Sequence, residues 1–353
     1  MEENNKVTFI DLFSGIGAFH QGLHAQGAEC VFASEWDSYC RSTYEENFKN
    51  ISPAVFELRT NNILNEELFS NNFAGDITKI EPSSVVDHDI LCAGFPCQPF
   101  SISGRKKGFS DTRGTLFFNV MEIVKAKQPK VIFLENVKHL VHHDGGNTLK
   151  VILQELEDAG YETSWKLLNA KDFGLSQNRE RIIIIGAKSN KFDFSKVERI
   201  QQKSIKDILD DVANFEFLDP KDYTLLPEEL WKTQASGLIF CGYRNKAIRK
   251  AGTRPNTEHL SRVHKQPNRI YHVDGTHPTL PSQETSGRFW IYDGESVRKL
   301  TIDEAYKLQG FPKSFKKNSN LSASYNQIGN SAAIPMIEAI YKQIKEQNLL
   351  LAS

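Results

Sequence analysis

The sequence predicts an α/β protein: a parallel, doubly wound sheet, followed by a second, smaller and irregular domain. Three observations lead there. Short apolar runs alternate with amphipathic stretches through the first half, as strands separated by helices do. That periodicity fades after about residue 191 and returns near Thr301. At 353 residues the chain exceeds one ordinary core and suits two domains.

The elements follow in order. Residues 7–13 read as a buried strand, then a helix that stops near Gly27. Residues 30–36 read as a second strand and 37–48 as a second helix. A short strand at 89–93 ends at Gly94. A helix over 116–127 precedes a strand over 130–135. Residues 147–159 are helical, and 181–186, with four isoleucines, form a fully buried strand. Beyond residue 191 the chain turns acidic, then basic and rich in Gly, Pro, Asn and Thr. Residues 301–308 are periodic again and 335–347 make a final helix. The expected divisions are 1–189, 190–297 and 298–353, the last returning to the first domain.

Composition narrows the class. Hydrophobic residues make up 39% and charged residues 25%, values of a soluble globular protein. No stretch approaches the roughly 20 apolar residues of a membrane span. The start, Met1-Glu2-Glu3-Asn4-Asn5, is unlike a signal peptide, so a cytoplasmic protein is expected. Five scattered cysteines (Cys30, Cys40, Cys92, Cys97, Cys241) do not suit a disulfide framework. Without a Cys-x-x-Cys pair, and with His142-His143 lacking a ligand-spaced partner, no structural zinc is expected.

The net charge of −1 hides an uneven distribution. Between residues 241 and 272 stand Arg244, Lys246, Arg249, Lys250, Arg254, Arg262, Lys265 and Arg269, against Glu258 alone on the acidic side. Such a segment suits a phosphate backbone, or is a solvated loop.

The first strand runs into Phe13-Ser14-Gly15-Ile16-Gly17. Glycines there allow a tight turn and close approach of a ligand. His20 stands where a dinucleotide motif has its third glycine, which disfavours a pyrophosphate and permits a ligand without phosphates. A plain turn is the alternative. Glu35, at the end of the second strand, suits the two hydroxyls of a ribose. Trp36 is placed to stack on an adenine or to fill the core. Asp76, in Gly75-Asp76-Ile77, stands where a third strand end meets an adenine amino group. Together these residues point to an adenosine ligand such as S-adenosylmethionine.

Gly94-Phe95-Pro96-Cys97-Gln98-Pro99-Phe100-Ser101 follows another strand end. Two prolines hold the Cys97 backbone, whereas Cys92 sits in an apolar strand as an ordinary small hydrophobe. Glu135 closes the strand before Asn136-Val137, where a carboxyl faces a pocket rather than a core. Gln177-Asn178-Arg179-Glu180-Arg181 precedes the isoleucine strand. Its alternating arginines fall on one face, to orient Glu135, to bind a base carbonyl, or to protect an edge strand.

These segments, with Asp11-Leu12 before the glycine loop and Ser34-Glu35-Trp36-Asp37, resemble the ordered motifs of the bacterial C5-cytosine DNA methyltransferases of type II restriction–modification. The resemblance continues through Arg298-Lys299-Leu300-Thr301, Leu308-Gln309-Gly310-Phe311-Pro312 and Gln327-Ile328-Gly329-Asn330-Ser331. It spans the chain except residues 190–297. It implies a Rossmann-like methyltransferase domain at 1–189, a β-rich target-recognition domain at 190–297, and S-adenosyl-L-methionine as donor, leaving S-adenosyl-L-homocysteine, with no metal.

The resemblance further implies Cys97 as nucleophile on cytosine C6 and Glu135 on N3. Arg181 takes the base O2, Arg179 joins the catalytic group, and the Phe95 carbonyl accepts from the exocyclic amine. Phe13, Gly15, Gly17, Glu35, Trp36, Asp76, Ile77, Pro96, Leu116, Asn330 and Ser331 are the expected cofactor residues. The base must leave the stack, and the loop bearing Ser103, Arg105 and Lys106 is expected to close over double-stranded DNA. Arg244, Arg249, Arg254, Arg262, Arg269, Thr279 and Arg288 are the expected DNA contacts in the recognition region. A monomer is expected, with a cognate endonuclease acting separately. Two rivals are a tRNA cytosine-5 methyltransferase and a non-catalytic DNA-binding homologue. The first carries Cys-Phe-Thr where this chain has Phe240-Cys241-Gly242; the second would have lost Cys97 or Glu135.

Overall fold

The computed structural model describes residues 6–56, 72–96, 115–211, 214–246, 256–282 and 289–351. Two compact units result. The first comprises the chain up to Leu168, Glu180–Glu198, and everything from Ala332; the second comprises Asn169–Arg179 and Arg199–Ser331. These cuts differ from 1–189, 190–297 and 298–353. The isoleucine strand and its continuation to Glu198 stay with the first unit, while Asn169–Arg179 goes to the second.

The first unit runs β1 (Thr8–Leu12), α1 (Ala18–His24), β2 (Glu29–Ser34), α2 (Ser38–Phe48), α3 (Pro53–Phe56), β3 (Phe73–Ala74), β4 (Ile90–Ala93), α4 (Thr115–Lys127), β5 (Val131–Val137), α5 (Asn147–Asp158) and β6 (Glu162–Asn169). After the two-residue β7 (Gln177–Asn178) comes β8 (Glu180–Ala187). The sheet order is β3-β2-β1-β4-β5-β8-β6. The five strands from β3 to β5 are mutually parallel, as predicted. β8 breaks the rule and runs antiparallel to β5. A parallel return needs a crossover of about a dozen residues or more, usually helical, and no α-helix separates β6 from β8.

Both faces of the sheet are covered, because alternate strand residues point to opposite sides. Ile10, Leu12, Leu91, Ala93, Ile132 and Leu134 pack with Phe117, Val120 and Val124 of α4 and Ile152 and Leu156 of α5. On the other face Phe9 meets His20 of α1, and Phe133 meets Phe19 edge-on at 4.9 Å. The last helix, Ile334–Glu346, lies against α1. A Cβ on Gly22 would come within 2.9 Å of Ile337, so close packing there requires glycine. Gln26 Nε2 also donates to the Glu338 carbonyl at 2.7 Å.

The second unit is β-rich, with strands of two to six residues. Lys232–Thr233, Ile239–Arg244, Arg269–His272, Trp290–Tyr292 and Val297–Arg298 lie side by side, with Tyr223–Leu225 also on Ile239–Arg244. Leu218, Cys241, Ile270, Trp290 and Val297 form its small core. It also holds helices Ile302–Leu308 and Leu321–Asn330. The first is capped by Thr301 and Glu304, and Glu304 is bound by Arg298 through two nitrogens at 2.9 Å.

Candidate active site

The glycine loop is built from left-handed backbone. Phe13, Gly15 and Gly17 have φ of 54°, 53° and 86°. A Cβ on Gly17 would sit 2.2 Å from the Phe48 ring, so that position requires glycine. Phe13 pays about 1 kcal/mol or more for the same conformation, a cost typical of functional loops. Glu35 holds the loop: Oε2 accepts from the Gly15 N–H and Oε1 from the Asp37 N–H, both at 2.8 Å. Burial raises the Glu35 pKa, and those two N–H groups oppose the rise. Each oxygen keeps a lone pair for a ribose hydroxyl, so the residues present fit an adenosine ligand.

Trp36 is 78% exposed, which removes core filling as its role and leaves its ring open to stacking. Glu35 N donates to the Ala74 carbonyl, so the β2 and β3 ends lie together. There Asp76 accepts from the Thr78 N–H and hydroxyl, and Ile77 is buried. Pro96 is exposed just after β4, and half-buried Leu116 packs on the core from α4. Phe13, Glu35 and Asp76 thus gather at the carboxyl ends of parallel strands, where ligands of such sheets bind. Asn330 and Ser331 fall in the second unit. Asn330 bonds Asn326, and the Ser331 carbonyl is an acceptor for Arg179.

Beneath the loop, the residue at the missing third glycine fills the core. His20 stacks on Phe48 at 3.9 Å and bonds Tyr44 and Ser52. Burial holds its pKa well below the usual value, so it is neutral. Asp11 is fully buried; burial pushes its pKa well up, and the His20 backbone N–H opposes the rise. Cys30 and Cys92 are buried with pKa values raised well above normal, hence inert thiols. Cys97 lies outside the described residues, as do Ser103, Arg105 and Lys106.

β5 runs two residues past the expected end at Glu135, which stands almost buried within it, and Arg181 Nε forms an ion pair with its Oε1 at 3.1 Å. Burial lowers the Arg181 pKa while Glu135 raises it; the guanidinium stays charged at neutral pH. Gly94 backs the same carboxylate, its absent Cβ lying 3.8 Å from Oε2. Asn136, unremarked in the sequence beyond its place in Glu135-Asn136-Val137, donates from Nδ2 to the Phe95 carbonyl at 2.7 Å.

The two arginines do not share a task. Arg179 is 1% exposed and donates to the carbonyls of Leu280, Gly329 and Ser331 within the second unit. Its neighbours join it there. Gln177 reaches Leu308, Gln309 and Leu280, and the Asn178 carbonyl accepts from the Thr279 hydroxyl at 2.6 Å. Arg179 therefore braces the second unit, and the Thr279 hydroxyl spends its proton on Asn178. Of the basic segment, Lys246, Arg262 and Lys265 are exposed. Arg244 lies over the Trp290 ring. Arg269 spends its guanidinium on the His264 carbonyl and Gln266. Arg249, Arg254 and Arg288 lie outside the described residues.

A doubly wound sheet with Phe13, Glu35 and Asp76 at its strand ends, and a nearly buried acid–cation pair on β5 and β8 of the same sheet, is an arrangement suited to a transferase that uses a nucleoside cofactor. The chain is 37% identical over 348 residues to the type II methyltransferase M.HhaI of Haemophilus parahaemolyticus, covering 95% of this chain and 93% of that one. It is 39% identical over 337 residues to the type II methyltransferase M.NgoBI of Neisseria gonorrhoeae, covering 94% and 91%. Its fold matches the S. pombe Dnmt2 methyltransferase with a TM-score of 0.62 at 17% identity, over 98% of this chain and 100% of that one. Residues 7–346 match the C-5 cytosine-specific DNA methylase family, and the chain belongs to it. It is accordingly a DNA cytosine-5 methyltransferase, and membership implies S-adenosyl-L-methionine as donor. Among the described residues no helix is long and apolar enough to cross a membrane.

Proposed function

We propose that the protein methylates C5 of one cytosine in a specific duplex DNA sequence, through covalent addition of Cys97 to C6, and thereby shields that sequence from a separate cognate endonuclease. The observation that carries this is the Glu135–Arg181 pair beside Gly94-Phe95-Pro96, the segment that leads directly into Cys97. The type II relatives, which are named methyltransferases, support the modification role.

The base leaves the stack because C6 is otherwise out of reach. Thiolate addition at C6 breaks the ring's aromaticity and makes C5 nucleophilic. Glu135 hydrogen-bonds or protonates N3 as charge develops there. Arg181 holds Glu135 in place and contacts O2. The Phe95 carbonyl accepts from the exocyclic amine. S-Adenosyl-L-methionine, when bound, supplies the methyl group, with Glu35 on its ribose, Trp36 against its adenine and Asp76 at the adenine amino group. Release of the C5 proton to water and elimination of Cys97 as thiolate restore the ring, giving 5-methylcytosine and S-adenosyl-L-homocysteine. Arg262 and the exposed lysines near it serve the DNA backbone, and one copy of the chain acts alone in the cytoplasm.

Duplex DNA carrying 5-fluorocytosine at the target tests the covalent step. With donor present, wild type should form a stable adduct and Cys97→Ala none. No adduct with wild type, or equal adducts with both, would defeat the proposal.

A further inference from the structure

We infer that Asn136 is a specificity-determining positioning residue, holding the Phe95 carbonyl so that the site accepts cytosine and rejects uracil. The inference rests on the cytosine reading above and deepens it.

The carbonyl is held from two sides. Asn136 is 4% exposed, and its Nδ2 donates to the Phe95 oxygen at 2.7 Å. Its Oδ1 accepts from the Val137 N–H at 2.8 Å, and this second bond settles which way the amide faces. The Phe95 ring is buried against Phe117, with centroids 5.5 Å apart. Ring and carbonyl together anchor the peptide that precedes Pro96. A carbonyl oxygen has two lone pairs. Asn136 occupies one and so sets the direction of the other.

That direction matters because cytosine and uracil differ at two adjacent positions. Cytosine has an acceptor at N3 and a donor at the exocyclic amine; uracil has a donor at N3 and an acceptor at O4. Glu135 suits either N3, donating when protonated and accepting when ionised. The Phe95 carbonyl has no such freedom, because it only accepts. Discrimination therefore falls on this carbonyl, and a site built around one polar partner penalises the analogue that lacks it. The carbonyl's aim falls in turn on Asn136.

Asn136→Asp keeps the shape and the acceptor for Val137 while removing the donor. Once bisulfite sequencing has identified the target, kcat/KM is compared on duplexes with cytosine or uracil at that position. Both are measured on one preparation of each enzyme, so inactive protein cancels in the ratio. Where the uracil rate is too low to read, the two dissociation constants with S-adenosylhomocysteine present supply the ratio. The cytosine-to-uracil ratio should fall by roughly tenfold or more in Asn136→Asp. The same holds for Asn136→Ser, whose hydroxyl is too short to reach and which replaces Asn136→Asp if that variant does not fold. A ratio within about twofold of wild type, with both substrates weakened together, overturns the inference and leaves Asn136 a purely structural residue. Wild-type enzyme inert on the cytosine duplex instead overturns the cytosine reading itself.

Discussion

The Arg179 guanidinium donates to the Ser331 carbonyl at 2.6 Å, joining residues 152 positions apart. It also serves Gly329 at the end of helix Leu321–Asn330, where a cation meets the negative end of the helix dipole. Arg179→Ala removes the donor from the buried Leu280 and Gly329 carbonyls and leaves Ser331 to Gln309. It should lower unfolding stability by about 3 kcal/mol or more in urea titrations. A loss below roughly 1 kcal/mol would return Arg179 to the catalytic group.

Arg181 stands differently, since its partner is a carboxylate. Arg181→Ala strands a nearly buried Glu135 and should cost roughly 3–5 kcal/mol. Adding Glu135→Leu should recover most of that stability while leaving the enzyme inactive. Glu135→Gln alone should slow kcat by about 100- to 10,000-fold with DNA affinity retained. Single-turnover rates and gel-shift titrations separate the two effects, and a Glu135→Gln enzyme with unchanged kcat would refute its role at N3.

Glu35 offers a test that needs no turnover. Glu35→Gln can accept from only one of the Gly15 and Asp37 N–H groups, because its amide nitrogen opposes the other. Calorimetric titration with S-adenosylhomocysteine should show affinity weakened by roughly tenfold, as expected for a lost bond to a charged acceptor. An unchanged Kd would remove Glu35 from the cofactor site.

Asp11 should make stability depend on pH. An unfolded aspartate titrates near pH 3.9, whereas burial holds the folded carboxyl well above that. The folded state thus binds the proton more tightly. This contribution is whole below about pH 4 and is lost as pH rises through the folded value. Asp11→Asn, which cannot ionise, should gain on wild type in urea midpoints as pH rises above about 4, until the folded carboxyl ionises. A gap that stays constant with pH would show Asp11 to be ordinary.

How far sequence alone reached follows from what each element exposes to inspection. β1, β5 and the glycine loop were legible because apolar runs ended abruptly in Phe13-Ser14-Gly15 or Glu135, breaks that a core would not tolerate. β6 was not, since Glu162, Ser164 and Lys166 punctuate it at the sheet edge. Helix Leu321–Asn330 escaped because Ser324, Gln327 and Gly329 dilute its buried face, leaving only Tyr325 and Ile328 as large apolar residues there. The separate duties of Arg179 and Arg181 were invisible for another reason: strand alternation pairs them, but their partners lie in distant segments. Asn136 reads as a motif letter until its bond to Phe95 is seen.

The contact between Gln26 and Glu338 bears on how the protein is made. These residues are 312 positions apart, and the helix that covers α1 is synthesised long after α1 itself. At roughly 5–20 residues per second, ribosomes leave that apolar face uncovered for tens of seconds. Meanwhile every residue of the second unit has emerged, so the later half of the chain can fold while the earlier half still waits for its lid. Premature termination anywhere before Ile334 would yield a sticky fragment rather than a weaker enzyme.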